Sequence, residues 1–221
     1  MTTKTQTRLQ SDLLKRLAAN DRPTREKGLD SLSTLLSQPE KLDNLDMLKI
    51  WKGLYYCMWM ADRPKVQESI ATKLGQLVES VDEINLMSFI EAFWITICRD
   101  WRSIDVLRVD KYYLLIRRVV YYTFKRLYTQ DWTGLEAYTV ILSEYPLNFT
   151  DLKIPDAIKY HIIDIYIDEL EKAIEGVEET LPISELMKPF DTTLTKSHNK
   201  TVKKRVKEEL LTDERLKKWT I

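Results

Sequence analysis

Two cysteines, five glycines and seven prolines in 221 residues are small numbers, and each scarcity excludes something. Cys57 and Cys98 sit inside apolar runs and form no CxxC pair, so a disulfide framework is not expected; the better reading is two buried free thiols in a reducing compartment. A sandwich or barrel needs a turn every few residues, and so few turn-formers argue for long helices with short connections. No window approaches the ~18 uninterrupted apolar residues of a membrane span. The N-terminal stretch MTTKTQTRLQSDLL has no signal-peptide hydrophobic core, so an intracellular soluble protein is expected. Net charge is absent as well: 34 basic residues balance 34 acidic ones, so any attraction for nucleic acid must come from local asymmetry.

What is present is a 44% hydrophobic content arranged at three- and four-residue spacing, enough for a substantial core and about eight or nine helices. Leu9, Leu13, Leu14 and Leu17 predict a short first helix, and Leu29, Leu32, Leu35 and Leu36 a second after Pro23. Further helices are predicted over about 43–61, 64–80 (opened by Pro64, with Asp62 suited to cap it), 83–101 and 105–129. The remainder reads as a helix from near Asp131 to before Pro146, one from Pro155 to about Glu175, a short proline-punctuated piece Leu181 to Phe190, and a charged final helix over about 198–218. The expected class is all-α, an irregular HEAT-like α-solenoid of antiparallel helix pairs, with a compact irregular bundle as the alternative. The expected division is a helical domain over 1–195 and a basic C-terminal helix over 196–221 that packs on it or extends from it.

Charge is distributed unevenly over these helices. On a wheel of the 105–129 helix, Val109, Tyr112, Ile116, Val120, Thr123 and Leu127 gather on one side. Lys111, Arg118 and Lys125 line up on the other, flanked by Arg108 and Arg126 and interleaved with Leu115 and Tyr122. Such a strip, about 21 Å long at 1.5 Å per residue, suits several RNA phosphates, with Tyr122 placed to stack on a base. A solvated face whose charges pair with acids on neighbouring helices would show the same pattern. Residues 196 to 218 hold nine bases against four acids, and Lys203, Lys204, Arg205 and Lys207 could serve as a phosphate-binding patch or nuclear import signal. The helix from Pro155 is opposite in sign: Asp164, Asp168, Glu171 and Glu175 form an acidic ridge, expected to face solvent or a basic protein partner.

Catalytic patterns do not emerge. P-loop, GxGxxG, GxSxG and HExxH spacings are missing, and neither a cofactor nor a small-molecule substrate is implied. His161 lies near Asp164 and Asp168 on the wheel, but a solvated, salt-bridging histidine is the better reading. Asp100, Asp105 and Asp110 beside Arg99, Arg102 and Arg108 could be recruited for a metal nuclease, yet the alternating signs read better as ion pairs and caps.

Three stretches together resemble the ribosomal RNA processing protein 1 family, the nucleolar Nop52 family of eukaryotes. They are WKGLYYCMWMADRPKVQ (Trp51 to Gln67), Phe93 to Arg118 with its Arg99-Asp100-Trp101 and Asp110-Lys111-Tyr112 runs, and IPDAIKYHIIDIYIDEL (Ile154 to Leu170). The opening LAANDRPTREKGLDSL is similar to the family's first helix pair. The resemblance implies a HEAT-like helical fold and a non-catalytic nucleolar assembly factor of the large ribosomal subunit, acting in pre-60S particles and needed for pre-rRNA processing. Pre-rRNA, other pre-60S assembly factors or ribosomal proteins would be its partners, in the nucleus and nucleolus and away from membranes. It also implies a long charged tail of the kind that commonly follows the family's helical domain. A helical adaptor that binds proteins alone is the competing expectation.

Overall fold

Long periodic segments with few breakers fold as helix. The computed structural model describes residues 12–175 and 180–219, and among these there is no strand. Helical residues 12–17 (α1) lead to α2 (Arg22–Leu36), α3 (Asn44–Trp59), α4 (Pro64–Ser80), α5 (Glu83–Asp100) and a 3-10 turn (Trp101–Ser103). Next come α6 (Val109–Thr129), α7 (Leu135–Glu144), α8 (Asp156–Ala173) and α9 (Ile183–Lys196). Finally α10 (Lys200–Arg205) runs into a π-helical turn (Val206–Leu210), and α11 is Glu214–Lys218. The all-α class expected from the sequence is the class observed. Leu9, and Glu178 and Glu179 of the acidic stretch, lie outside the described residues.

Local chemistry sets most boundaries. The Asp21 carboxylate accepts from the Thr24 amide and Asp43 from the Asp46 amide, each filling an orphan donor of a helix start. α4 begins at Pro64 as expected, but Arg63, not Asp62, is its capping residue, and it makes no side-chain cap bond. α6 starts at Val109, later than position 105. Asp131 and Trp132 have positive φ, and Gly134 has φ 86°, so the chain turns there and α7 cannot start before Leu135. The proline-punctuated segment is longer than expected: α9 continues through Pro189, because burial of Leu186 and Phe190 outweighs the lost helix bond. The charged final helix is broken by the π turn and by Leu211 to Asp213.

Two compact units result, one made of residues up to Thr96 plus Val106–Arg118, the other of Ile97–Asp105 plus the chain from Val119 onward. In the first, Trp51 is fully enclosed. Its indole N–H donates to the Phe89 carbonyl at 2.7 Å, and its ring lies 4.8 and 4.7 Å from Phe89 and Phe93. Asn85, buried, accepts from the Leu42 amide and donates to the Glu40 carbonyl, pinning the loop before α3. α1 lies close against α2 and α3 where Gly28 and Gly53 leave room: a Cβ at either would come within 3.2 Å of Arg16 or Leu17 respectively. The second unit centres on Phe124, edge-on to Tyr138 and Tyr166, and on Tyr166, whose hydroxyl donates to the Leu186 carbonyl at 2.7 Å. α8 is its most buried helix, covered on faces the wheel left open, including Ile163, Ile165, Ile167 and Glu169.

Candidate nucleic-acid and partner interface

The cations of α6 are where sequence and structure part. Lys111 is 3% exposed, and its ammonium donates to the carbonyls of Trp59 and Ala61 at 2.6 and 2.8 Å. Those carbonyls belong to the unsatisfied C-terminal end of α3, where the helix dipole also favours a cation. Lys111 is therefore a helix cap in the interior, not part of a solvent-facing strip. Tyr122 and Leu115, expected to interleave with that strip, are buried too. At 100° per residue Lys111 is only about 20° from Tyr122, so the apolar arc of α6 is wider than one side of a wheel and takes Lys111 with it. Arg118 is half-buried and turns toward Glu68 at 3.8 Å, while half-buried Lys125 sits 5.9 Å from the Tyr122 ring. Arg108 lies 4.8 Å over the Trp59 ring, and Arg126 is half-buried.

Two of the three segments that carried the family resemblance, Trp51 to Gln67 and Phe93 to Arg118, meet here. Besides the Lys111 contacts, the Tyr112 hydroxyl donates to the Tyr55 carbonyl at 3.0 Å, and the two rings lie 4.8 Å apart. Lys111 and Tyr112 thus join the start of α6 to the C-terminal half of α3. Arg25 repeats the device: buried, it donates to the Ala19 and Asn20 carbonyls at the end of α1.

The C-terminal segment divides its cations by type. Arg205 donates to Asp164 at 2.7 Å and lies 5.1 Å over the Tyr160 ring. Arg215 reaches Asp168 at 3.1 Å, Glu171 at 2.7 Å and Asp213 at 2.7 Å. Three acids of the α8 ridge, Asp164, Asp168 and Glu171, are accordingly paired with the chain's own arginines while keeping much of their surface in water, and Glu175 is exposed at φ 56°. The hydrogen bond from Arg215 holds the Asp213 carboxyl below the usual carboxylate range, and Arg215 is raised in turn. Sequence reading counted Arg215 among the basic residues without singling it out. Its nearness to Asp213 is visible locally, but nothing in the local spacing marks its reach to Glu171 and Asp168, more than forty positions upstream. The lysines behave differently. Lys204 and Lys207 are exposed and Lys203 half-exposed, with Lys204 making one loose contact to Glu208 at 3.8 Å. Lys200, Lys217 and Lys218 are exposed beside them in sequence.

A second surface went unread in the sequence. On α3, Lys52 lies 5.4 and 5.2 Å from the Tyr55 and Tyr56 rings, Tyr56 is 40% exposed, and Trp59 stacks on Tyr55 at 6.2 Å. Tyr55 is itself buried, whereas Trp59, on the 52, 56, 59 steps of the same helix, is half-buried.

Asp100 forms a two-pronged pair with Arg99 at 3.0 and 2.9 Å, as the alternating signs suggested. Among the described residues, no three His, Cys, Asp or Glu side chains are placed to hold a metal ion. No described helix is long and apolar enough to cross a membrane. A small hollow, of about 10 Å³, is lined by Leu13, Leu14, Leu35 and Ile50 with Asp46 and Lys49, and the last two pair with each other at 2.8 Å. Both cysteines are free. Burial pushes the Cys57 thiol up to about 11 and the Cys98 thiol up to about 12.

A family model described as nucleolar protein, Nop52, matches residues 8–221. Ribosomal RNA processing protein 1 homolog B of Homo sapiens is 34% identical over 197 residues, 85% of this chain and 26% of its own length. Human homolog A is 34% identical over 176 residues, covering 76% and 37%. The homolog in Dictyostelium discoideum is 30% identical over 217 residues, covering 89% and 44%. The chain spans less than half the length of these curated relatives.

Proposed function

The chain belongs to the Nop52 nucleolar protein family, and from that premise we propose that it is a non-catalytic assembly factor of the large ribosomal subunit. In this reading it is a scaffold in nucleolar pre-60S particles and is required for pre-rRNA processing. The observation that carries the reading is the family match over almost the whole chain, joined to relatives named for ribosomal RNA processing. The geometry adds a surface suited to the role. The arginines of the C-terminal segment are spent on α8, which fixes the segment, while Lys204 and Lys207 are exposed and Lys203 is half-exposed. Rigidly held lysines can neutralise phosphates of a folded RNA without reading its sequence. HEAT-like stacking of helix pairs would give the stiffness a scaffold needs. Partners are pre-rRNA and neighbouring assembly factors or ribosomal proteins.

The test is association and processing in cells that depend on the protein. Its depletion should accumulate unprocessed pre-rRNA, and the tagged protein should sediment with precursor large subunits. Reversing Lys203, Lys204 and Lys207 to glutamate should remove its RNA crosslinks while the helical fold persists. A protein-only adaptor is the second reading, favoured by the burial of Lys111 and the turn of Arg118 toward Glu68, which take two cations out of RNA reach. Crosslinks that survive the triple reversal, with particle association intact, would support the adaptor. Normal pre-rRNA after depletion would sink both.

A further inference from the structure

We propose that the lysine face of the C-terminal segment, Lys200, Lys203, Lys204 and Lys207, holds the backbone of double-helical RNA, and that single strands are not its ligand. The inference rests on the ribosome-assembly reading for its choice of RNA and names the form of RNA this surface takes. Positions 200, 203, 204 and 207 recur at three- and four-residue steps and share one face, while Val202 and Val206 are buried on the other. Lys200, Lys204 and Lys207 are exposed and Lys203 is half-exposed. At 1.5 Å per residue the row is about 10 Å long, enough to meet more than one phosphate. Among the described residues no acid forms an ion pair with Lys200, Lys203 or Lys207, and Lys204 makes one loose, solvated contact with Glu208 at 3.8 Å. The row keeps its charge because the acids of α8 are met by Arg205 and Arg215 instead.

Rigidity and the lack of a stacking surface decide between duplex and single strand. The segment is tied to α8 at three points along its length. The Asn199 amide donates to Asp156 at 2.7 Å, Arg205 to Asp164 at 2.7 Å, and Arg215 to Glu171 at 2.7 Å. Val202, Val206, Leu210 and Trp219 are its buried anchors. Lysines held at fixed spacing match phosphates that are themselves fixed, as in an A-form helix, which proteins recognise through backbone and shape. A flexible strand would lose freedom in conforming to the row and gain little in return, since single-strand binding draws on aromatic rings that stack on bases. The aromatics of this segment and of the α8 face beneath it offer no such ring: Trp219 is 5% exposed, and the Tyr160 ring lies under the Arg205 guanidinium at 5.1 Å. An ammonium is a point charge without the planar fork that reads base edges, so the contact is blind to sequence. Glu208, exposed beside Lys204, works against the ligand.

The experiment is fluorescence anisotropy of a labelled RNA duplex with the purified full chain, beside an oligouridine of equal length, across a salt series. The wild type should bind the duplex roughly tenfold tighter than oligouridine, and a duplex of shuffled sequence equally well. Lys200→Ala, Lys203→Ala, Lys204→Ala and Lys207→Ala together should remove most of the duplex affinity and lower its salt slope by about one per lysine, with helical circular dichroism unchanged. Glu208→Gln should tighten duplex binding. Arg215→Ala, which loosens the segment from α8, should weaken the duplex and leave oligouridine as it was, whereas loss of charge alone would weaken both. The proposal is overturned if the wild type ignores the duplex or binds oligouridine as tightly, or if the folded quadruple variant holds the duplex normally. It is equally overturned if that variant keeps its RNA crosslinks in native particles and loses a protein neighbour, since the face then serves an acidic protein. Each of those results leaves the assembly reading standing, and that reading fails separately if the wild-type protein does not sediment with precursor large subunits.

Discussion

Lys111 shows how one side chain changes meaning between sequence and structure. On a wheel it belongs to a basic strip; in the fold it is enclosed and bonded to two carbonyls at the end of α3. Hydrogen bonds from a charged donor contribute about 1.5–3 kcal/mol each, and removal of this one leaves two buried acceptors without their partner. Lys111→Met should therefore lower unfolding free energy by roughly 2 kcal/mol or more, read as a shift of the urea midpoint at constant slope. A surface lysine that merely contacts phosphate would give the opposite pattern, lost RNA affinity at unchanged stability, and that result would return Lys111 to the interface. The sequence could not disclose this role, since the acceptors lie about fifty residues upstream. Trp51, by contrast, was legible as core: a large apolar ring at helical spacing has few other places to go.

At the scale of elements, capping chemistry and apolar period located most helices, and tertiary contact decided the remainder. The acid on α8 and the bases after position 196 were both visible as charge runs, but their mutual attraction was not, because a charge run carries no address. Arg215 is the residue that joins them. Each of its ion pairs is partly exposed and worth about 1 kcal/mol or less alone, so Arg215→Ala should loosen the segment without unfolding the protein. Limited trypsin digestion should show faster cleavage at Lys203 to Lys207, with helical circular dichroism nearly unchanged. Acid should mimic the substitution. Arg215 holds the Asp213 carboxyl below its unfolded value, so this contribution is complete above about pH 4 and is lost as pH falls through the lowered folded value. Equal cleavage of wild type and variant at neutral pH would mean that the apolar anchors Val202, Val206 and Trp219 hold the segment unaided.

For the molecule as a whole, the informative element is α6, whose first ten residues belong to one compact unit and whose remainder belongs to the other. Tyr112 and Ile116 are buried in the first, Phe124 and Leu127 in the second. A continuous helix is cooperative along its length, so damage at one end is expected to reach the other. Phe124→Ala removes a ring packed edge-on against Tyr138 and Tyr166 and should cost about 3–5 kcal/mol. Each unit carries one thiol reporter, Cys57 in the first and Cys98 in the second, and each is kept protonated and slow to react by burial. In a denaturant series with a thiol-labelling pulse, both cysteines of Phe124→Ala should become reactive together, at one midpoint lower than that of the wild type. Labelling of Cys98 at low denaturant, with Cys57 still protected to the wild-type midpoint, would show instead that the units unfold independently and that α6 transmits nothing between them.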